Sequence, residues 1–109
     1  MQKIANMRDI KPGKSLSFTY QGRKSILIRD KEAISPTTGD LAAYVAICPH
    51  ENGSIEWDEQ IKKLLCECHM SLFNPKDGSV YAHSSLFELK EGLTRIQLKV
   101  DENQDIYAL

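Results

Sequence analysis

The amino-acid sequence predicts an all-β domain, and two kinds of signal point to it. Short stretches such as 15–20 and 93–100 alternate apolar and polar residues with a period of two, which is the pattern of half-buried strands. Turn-forming residues, including Gln21-Gly22 and the segment 74–78, separate such stretches. Repeated short strands joined by turns favour an antiparallel domain of the sandwich-like or barrel-like kind.

The elements are expected in a simple order along the chain. Stretches 15–20 and 24–29 flank Gln21-Gly22, so they predict a β-hairpin. A loop is expected over 35–40 and a turn over 101–104, and only 84–91 could form a short helical turn. Further strands are expected at 41–47, 61–65, 80–81, 93–100 and 105–109.

Composition narrows the class of protein. A chain of 109 residues with 41% hydrophobic and 27% charged residues is the size and composition of one globular domain, which we expect to span 1–109. The net charge of −1 without a basic stripe argues against nucleic acid as a partner. No apolar run reaches about 18 residues and the N-terminus lacks an apolar stretch, so neither a membrane span nor a signal peptide is expected.

The most specific pattern is a pair of short segments that each hold one cysteine and one histidine ligand candidate. Cys48 and His50 form the first pair, and Cys66 and His69 form the second, with 15 residues between the pairs. Two thiolates and two imidazoles are the ligands of a [2Fe–2S] centre in which histidines replace two cysteines. They are also zinc ligands, so a zinc-stabilised module stays open, as does a coincidence of core residues.

Residues 48–78 resemble the Rieske family on the strength of these two segments. The resemblance implies a Rieske-type antiparallel β domain with a cluster-binding subdomain inserted at about 48–78. It also implies one [2Fe–2S] cluster per chain, with Cys48 and Cys66 on one iron and His50 and His69 on the other.

Neighbouring residues depart in part from the family pattern. The resemblance implies that Ser71 donates a hydrogen bond to a bridging sulfide, whereas Phe73, which lacks a hydroxyl, is expected to pack in the core. Met70 stands where the family commonly has glycine, so either Met70 tolerates any unusual backbone conformation required there or the loop differs. Cys68 is interpreted as a small buried thiol and His83 as a solvated loop residue. An intermediate reduction potential is expected.

The resemblance implies an electron-transfer protein that is not catalytic by itself. We expect a soluble ferredoxin that receives electrons from a reductase and donates them to a redox enzyme such as an oxygenase. The alternative is a small Rieske subunit of a larger oxidoreductase of the nitrite reductase or arsenite oxidase type. Three cysteines cannot form a complete disulfide framework within one chain, so a cytoplasmic monomer is expected.

Overall fold

The computed structural model describes residues 1–33, 38–48, 53–66, 70–82 and 92–109. Within these ranges a short 3₁₀ helix, Met7–Asp9, follows the first strand. The strands are β1 (Gln2–Asn6), β2 (Ser15–Tyr20), β3 (Arg23–Arg29), β4 (Leu41–Val45), β5 (Ile55–Asp58), β6 (Lys63–Cys66), β7 (Ser71–Phe73), β8 (Val80–Ala82), β9 (Arg95–Ile96), β10 (Leu98–Val100) and β11 (Asp105–Ala108).

The described strands form three antiparallel sheets. A central sheet has the order β2-β3-β4-β9, a second sheet the order β1-β11-β10, and a third the order β5-β6-β7-β8. The predicted hairpin is present, with Tyr20 opposite Arg23 across its turn. The prediction of an all-β antiparallel fold is therefore confirmed. In the described part of the chain, no helix is long and apolar enough to cross a membrane.

β4, an inner strand of the central sheet, is buried on both of its faces. Alternate residues of β4 point to opposite sides of the sheet. Ala43 packs in a core cluster with Ile106 of the second sheet, whereas Tyr44 packs in another cluster with Leu64 and Phe73 of the third. Every residue of β4 is consequently buried. This position between two layers explains why 41–47 is a continuous apolar run instead of an alternating one.

The predicted strand 93–100 is two strands in the structure. β9 pairs with β4 of the central sheet, and β10 pairs with β11 of the second sheet. Gln97, between them, uses its carbonyl to accept a hydrogen bond from Leu109 N–H. The side chains of Ile96, Leu98 and Val100 all pack in one core cluster, so the apolar alternation continues while the chain changes sheets.

The structure differs from the strand predictions at three further strands, β6, β5 and β1. β6 begins at Lys63 because Ile61 and Lys62 belong to the preceding turn, where Lys62 has a positive φ of 56°. The sequence pattern does not predict β5, since Glu56 and Asp58 interrupt its apolar residues. It does not predict β1 either. The expected helical turn at 84–91 lies outside the described residues.

The predicted turn after β7 is present and lies against the central sheet. Gly78 N–H donates to the Asn74 carbonyl at 2.8 Å, which closes the turn. Gly78 has a φ of +77°, and a Cβ placed on it would lie 2.8 Å from Tyr44 Cε1 and 3.0 Å from the Leu93 carbonyl oxygen. Glycine is needed here both for its backbone conformation and for the close approach of Tyr44.

Replacing Gly78 with alanine is expected to destabilise the fold more than the same change at Gly22. Gly22 has an almost identical φ of +78°, but a Cβ placed on it would have nothing within 4 Å. The Gly22→Ala variant therefore reports the cost of the backbone conformation alone, about 1 kcal/mol. Gly78→Ala adds a steric overlap with Tyr44, which costs a further roughly 1–3 kcal/mol of unfolding free energy.

Urea unfolding of both variants, followed by circular dichroism, measures the difference. Equal losses of unfolding free energy would show that Tyr44 does not restrict this position.

Candidate metal centre

The first cysteine of the pattern lies at the base of a closed loop. β4 continues through Ala46 and Ile47, and Ile47 forms an antiparallel bridge with Ser54. Cys48 N–H donates to the Gly53 carbonyl at 2.8 Å. The residues on either side of segment 49–52, which we call the first loop, are therefore hydrogen-bonded to each other. His50 belongs to this segment, and residues 49–52 lie outside the described residues.

The second cysteine occupies the equivalent place in a second loop. Cys66 ends β6 and is paired with Ser71, the first residue of β7. Residues 67–69, which we call the second loop, connect the two strands in sequence. Met70, directly after them, has a left-handed backbone with a φ of 57° and is 65% exposed. His69 and Cys68 lie outside the described residues.

One segment of chain holds the bases of both loops together. Ser54 pairs with Ile47 of the first loop's base, and Ile55 N–H donates to the Ala46 carbonyl at 3.1 Å. Ile55 is also the partner of Cys66 in the β5–β6 ladder. The two loops therefore emerge from neighbouring strands of one continuous hydrogen-bonded surface.

The pairing register fixes which side chains share a face. Residues directly opposite each other point to the same side, as do residues two apart on one strand. Cys48 faces Gly53, and Cys66 faces both Ile55 and Ser71. Cys48, Cys66 and Ser71 consequently point to one face, and each is at most 1% exposed. The structure brings together these three predicted site residues.

The cysteines lie in the same apolar cluster as Phe73, which is completely buried. The expectation that Phe73 packs in the core is thus confirmed. Trp57 packs against this cluster, and its indole N–H donates to the Gly13 carbonyl at 2.9 Å. These side chains give the two thiols an apolar, water-poor surrounding on the described side of the site.

A network of charged and polar side chains connects β3 to residues that lie just after the first loop in sequence. Lys24 Nζ donates to Ser54 Oγ at 2.6 Å and to Glu56 Oε1 at 2.9 Å, and Ser54 Oγ donates to the same carboxylate at 3.0 Å. The hydrogen bond from Lys24 is the main cause that lowers the pKa of Glu56 below its usual value of 4.5. No sequence pattern points to this network, because Lys24 and Glu56 are 32 residues apart.

The fold and the two paired loops define an all-β domain with a two-loop, cysteine-containing centre. The chain belongs to the Rieske [2Fe-2S] domain family, whose sequence model matches residues 1–92. The domain of this family is a [2Fe–2S] electron-transfer module.

Relatives and solved structures of this family are similar to the chain. It is 31% identical over 83 residues to YhfW of Bacillus subtilis, described as a Rieske 2Fe-2S iron-sulfur protein, and the match spans 76% of this chain but 15% of YhfW. The plasma membrane Rieske protein PetC3 of Synechocystis has a TM-score of 0.78 and 18% identity, with 100% of this chain and 99% of PetC3 covered.

Two functionally different structures share the fold as well. The ferredoxin of carbazole 1,9a-dioxygenase from Nocardioides aromaticivorans has a TM-score of 0.70 and 19% identity, covering 97% of this chain and 93% of that one. The quaternary ammonium Rieske monooxygenase CntA has a TM-score of 0.75 and 16% identity, covering 98% of this chain but 30% of CntA.

The donors in the described residues fit a [2Fe–2S] cluster. Cys48 and Cys66 are fully buried thiols on one face, each at the base of a short loop that carries a histidine in its sequence. Thiolates and imidazoles are the ligands that such a mixed centre requires. The described residues alone contain no group of three or more metal-ligating side chains, and His50 and His69 are not among them.

The Glu56 network predicts a pH dependence of stability. The pKa of Glu56 is lowered in the folded protein, so its contribution is present above the unfolded pKa and is lost as the pH falls through the folded value. The stability advantage of the native protein over Glu56→Gln should therefore be larger at about pH 7 than at about pH 3.

Urea unfolding at both pH values measures this difference. Glu59→Gln is the control, because Glu59 forms a comparably exposed ion pair with Lys14 that does not involve Ser54. An advantage of equal size at both pH values would contradict the assignment.

Proposed function

We propose that this protein is a one-electron carrier in which Cys48, His50, Cys66 and His69 hold one Rieske [2Fe–2S] cluster per chain. The observation that carries the proposal is the placement of two fully buried thiols on one face, at the bases of two paired loops. When bound, the cluster takes up one electron and releases it again. Residues 48–78 would form the cluster-binding part of a single domain, 1–109.

The ligand types determine the electrostatics of such a site. Cys48 and Cys66 would bind one iron as thiolates, and His50 and His69 would bind the other as neutral imidazoles. This set carries two fewer negative charges than four thiolates, which favours acceptance of an electron. Centres of this class have reduction potentials of roughly −150 to +300 mV. Burial of both thiols keeps water from the sulfur atoms. Solvent access is one of the factors that determine the reduction potential of such a centre.

Ser71 is proposed to tune this potential. Its side chain is 1% exposed and lies opposite Cys66 on the neighbouring strand. Its hydroxyl would donate a hydrogen bond to a bridging sulfide. Hydrogen bonds to sulfur stabilise the reduced, more negative state and so raise the potential. Phe73 has no hydroxyl to add a second such bond, which supports an intermediate potential.

We propose redox proteins as the partners: a reductase as electron donor and an oxygenase or another redox enzyme as acceptor. A free-standing carrier that is not catalytic itself agrees with the fold that the chain shares with a dioxygenase ferredoxin. A monomer in the cytoplasm agrees with this role and with the odd number of cysteines.

A component of a larger redox protein is the second candidate. The chain corresponds to 15% of YhfW and 30% of CntA, so the same kind of domain occurs within much longer chains. Co-purification and size-exclusion chromatography of the native protein distinguish the two candidates, because a subunit would elute with a stable partner.

Cluster binding predicts a characteristic electron paramagnetic resonance spectrum after reduction with dithionite. A rhombic signal with a low average g value is expected, distinct from that of an all-cysteine [2Fe–2S] centre. Cys66→Ser should lose the signal because it removes a ligand. Cys68→Ser should retain it, because Cys68 is outside the proposed ligand set. A colourless, silent protein containing zinc would refute the proposal and favour a structural metal module.

The role of Ser71 predicts a lower reduction potential for Ser71→Ala. Loss of one hydrogen bond to sulfur should lower the midpoint by an amount on the order of 50 mV. Ser25→Ala is the control, because Ser25 is also completely buried but donates to the Arg23 carbonyl in the central sheet. Spectroscopic redox titration measures both. An unchanged potential in Ser71→Ala would exclude the hydrogen bond to sulfide.

A further inference from the structure

The turn that follows β7 accepts three hydrogen bonds from donors outside the third sheet. Tyr44 Oη donates to the Pro75 carbonyl at 2.6 Å. Arg95 Nη1 donates to the Lys76 carbonyl at 2.7 Å, and Leu93 N–H donates to the Gly78 carbonyl at 2.8 Å. These three bonds attach the turn to β4 and β9 of the central sheet and to the segment that precedes β9.

Two of these donors come from one position in the central sheet. Tyr44 of β4 and Arg95 of β9 are direct partners across the ladder. The Arg95 guanidinium lies 6.0 Å from the centre of the Tyr44 ring. Neighbouring cross-strand side chains thus reach consecutive carbonyls of the same turn. We call this arrangement of Tyr44, Arg95 and residues 75–76 the turn clamp.

The Tyr44 hydroxyl is suited to remain a donor. Its side chain is completely buried, and burial raises its pKa to about 12, although the charge of Arg95 acts in the opposite direction. The phenol therefore stays protonated over the ordinary pH range. Gly78 packs directly on the ring, so the hydroxyl is held against the turn by both a hydrogen bond and close packing.

The turn clamp connects the two cysteine-bearing strands by a second route. β4 leads from Tyr44 to Cys48 in four residues. The clamped turn follows Phe73 immediately, and β7 pairs with β6 so that Ser71 lies opposite Cys66. Tyr44, Phe73 and both cysteines also share one core cluster. Movement of the turn relative to β4 would therefore change the position of Cys66 relative to Cys48.

We propose that Tyr44 and Arg95 are positioning residues that fix the distance and orientation between the two loop bases, and so determine how firmly the cluster is held and what environment it has. This inference rests on the proposed function. It assigns a role in the redox site to residues that lie outside the two cysteine–histidine segments.

The test compares Tyr44→Phe with Tyr20→Phe in the protein purified with its cluster. Tyr20 Oη also donates to a main-chain oxygen, that of Leu109 at 2.7 Å, but its ring packs against the other core cluster. Tyr44→Phe removes the one hydrogen bond to Pro75, and Tyr20→Phe removes the bond to Leu109 together with a longer one that Gln21 Nε2 donates at 3.3 Å. Tyr44→Phe should release iron to a chelator roughly 2- to 10-fold faster than Tyr20→Phe. It should also shift the g values and the midpoint potential, which a purely structural role would leave unchanged.

A second pair of variants, at exposed arginines, tests the clamp without the risk that a buried substitution causes misfolding. Arg95 is exposed, so Arg95→Gln weakens the clamp without altering the core, and Arg23→Gln is its control on an exposed part of β3. The first change should accelerate iron release and alter the spectrum in the same sense as Tyr44→Phe, whereas the second should not.

The outcomes separate this inference from the proposed function. A native protein that shows the expected cluster spectrum, with clamp variants indistinguishable from their controls, overturns the clamp alone. A native protein without any iron–sulfur signal overturns both. Faster iron release and an altered spectrum in both clamp variants, with unchanged controls, support the positioning role.

Discussion

Pairing along both edges of the short segment Gly53–Ile55 is the interaction that positions everything else in the site. On one edge the segment bonds to residues that lead from the central sheet to Cys48, and on the other it begins the ladder with Cys66. Backbone hydrogen bonds of this kind fix register as well as proximity, since a slip of one residue would turn each side chain to the other face. The common orientation of the two thiols follows from this register.

The site also depends on its place between two layers. One cysteine follows β4 of the central sheet by three residues, and the other ends β6 of the third sheet. The apolar cluster between the sheets contains both, together with Tyr44 and Phe73. A centre built across two layers needs the layers to keep a fixed spacing. Close packing provides that spacing. The hydrogen bonds from Tyr44 and Arg95 to the turn after β7 also fix the orientation of the third sheet relative to the central sheet.

The backbone is strained at Met70, where the second loop joins β7. Met70 has a left-handed backbone at the residue immediately before Ser71, and such a conformation costs roughly 1–2 kcal/mol for a residue with a side chain. The β6–β7 ladder offsets this cost, because it requires the chain to reverse within four residues. Conformations of this kind persist where the surrounding structure over-determines them, and they concentrate at functional sites.

Local patterns in the chain were enough to determine the all-β class, the first hairpin, the turn after β7 and the two cysteine–histidine segments, because these depend on alternation, turn chemistry and ligand spacing. They could not determine β5, whose strand character comes from its pairing with β6. They also could not determine the division of 93–100 between two sheets, because the alternation is the same in either case. They also contained no sign of the contacts of Tyr44 or Lys24, whose partners are 31 and 32 residues away. Only tertiary packing brings such distant groups together, and it decided that the two thiols share one buried face.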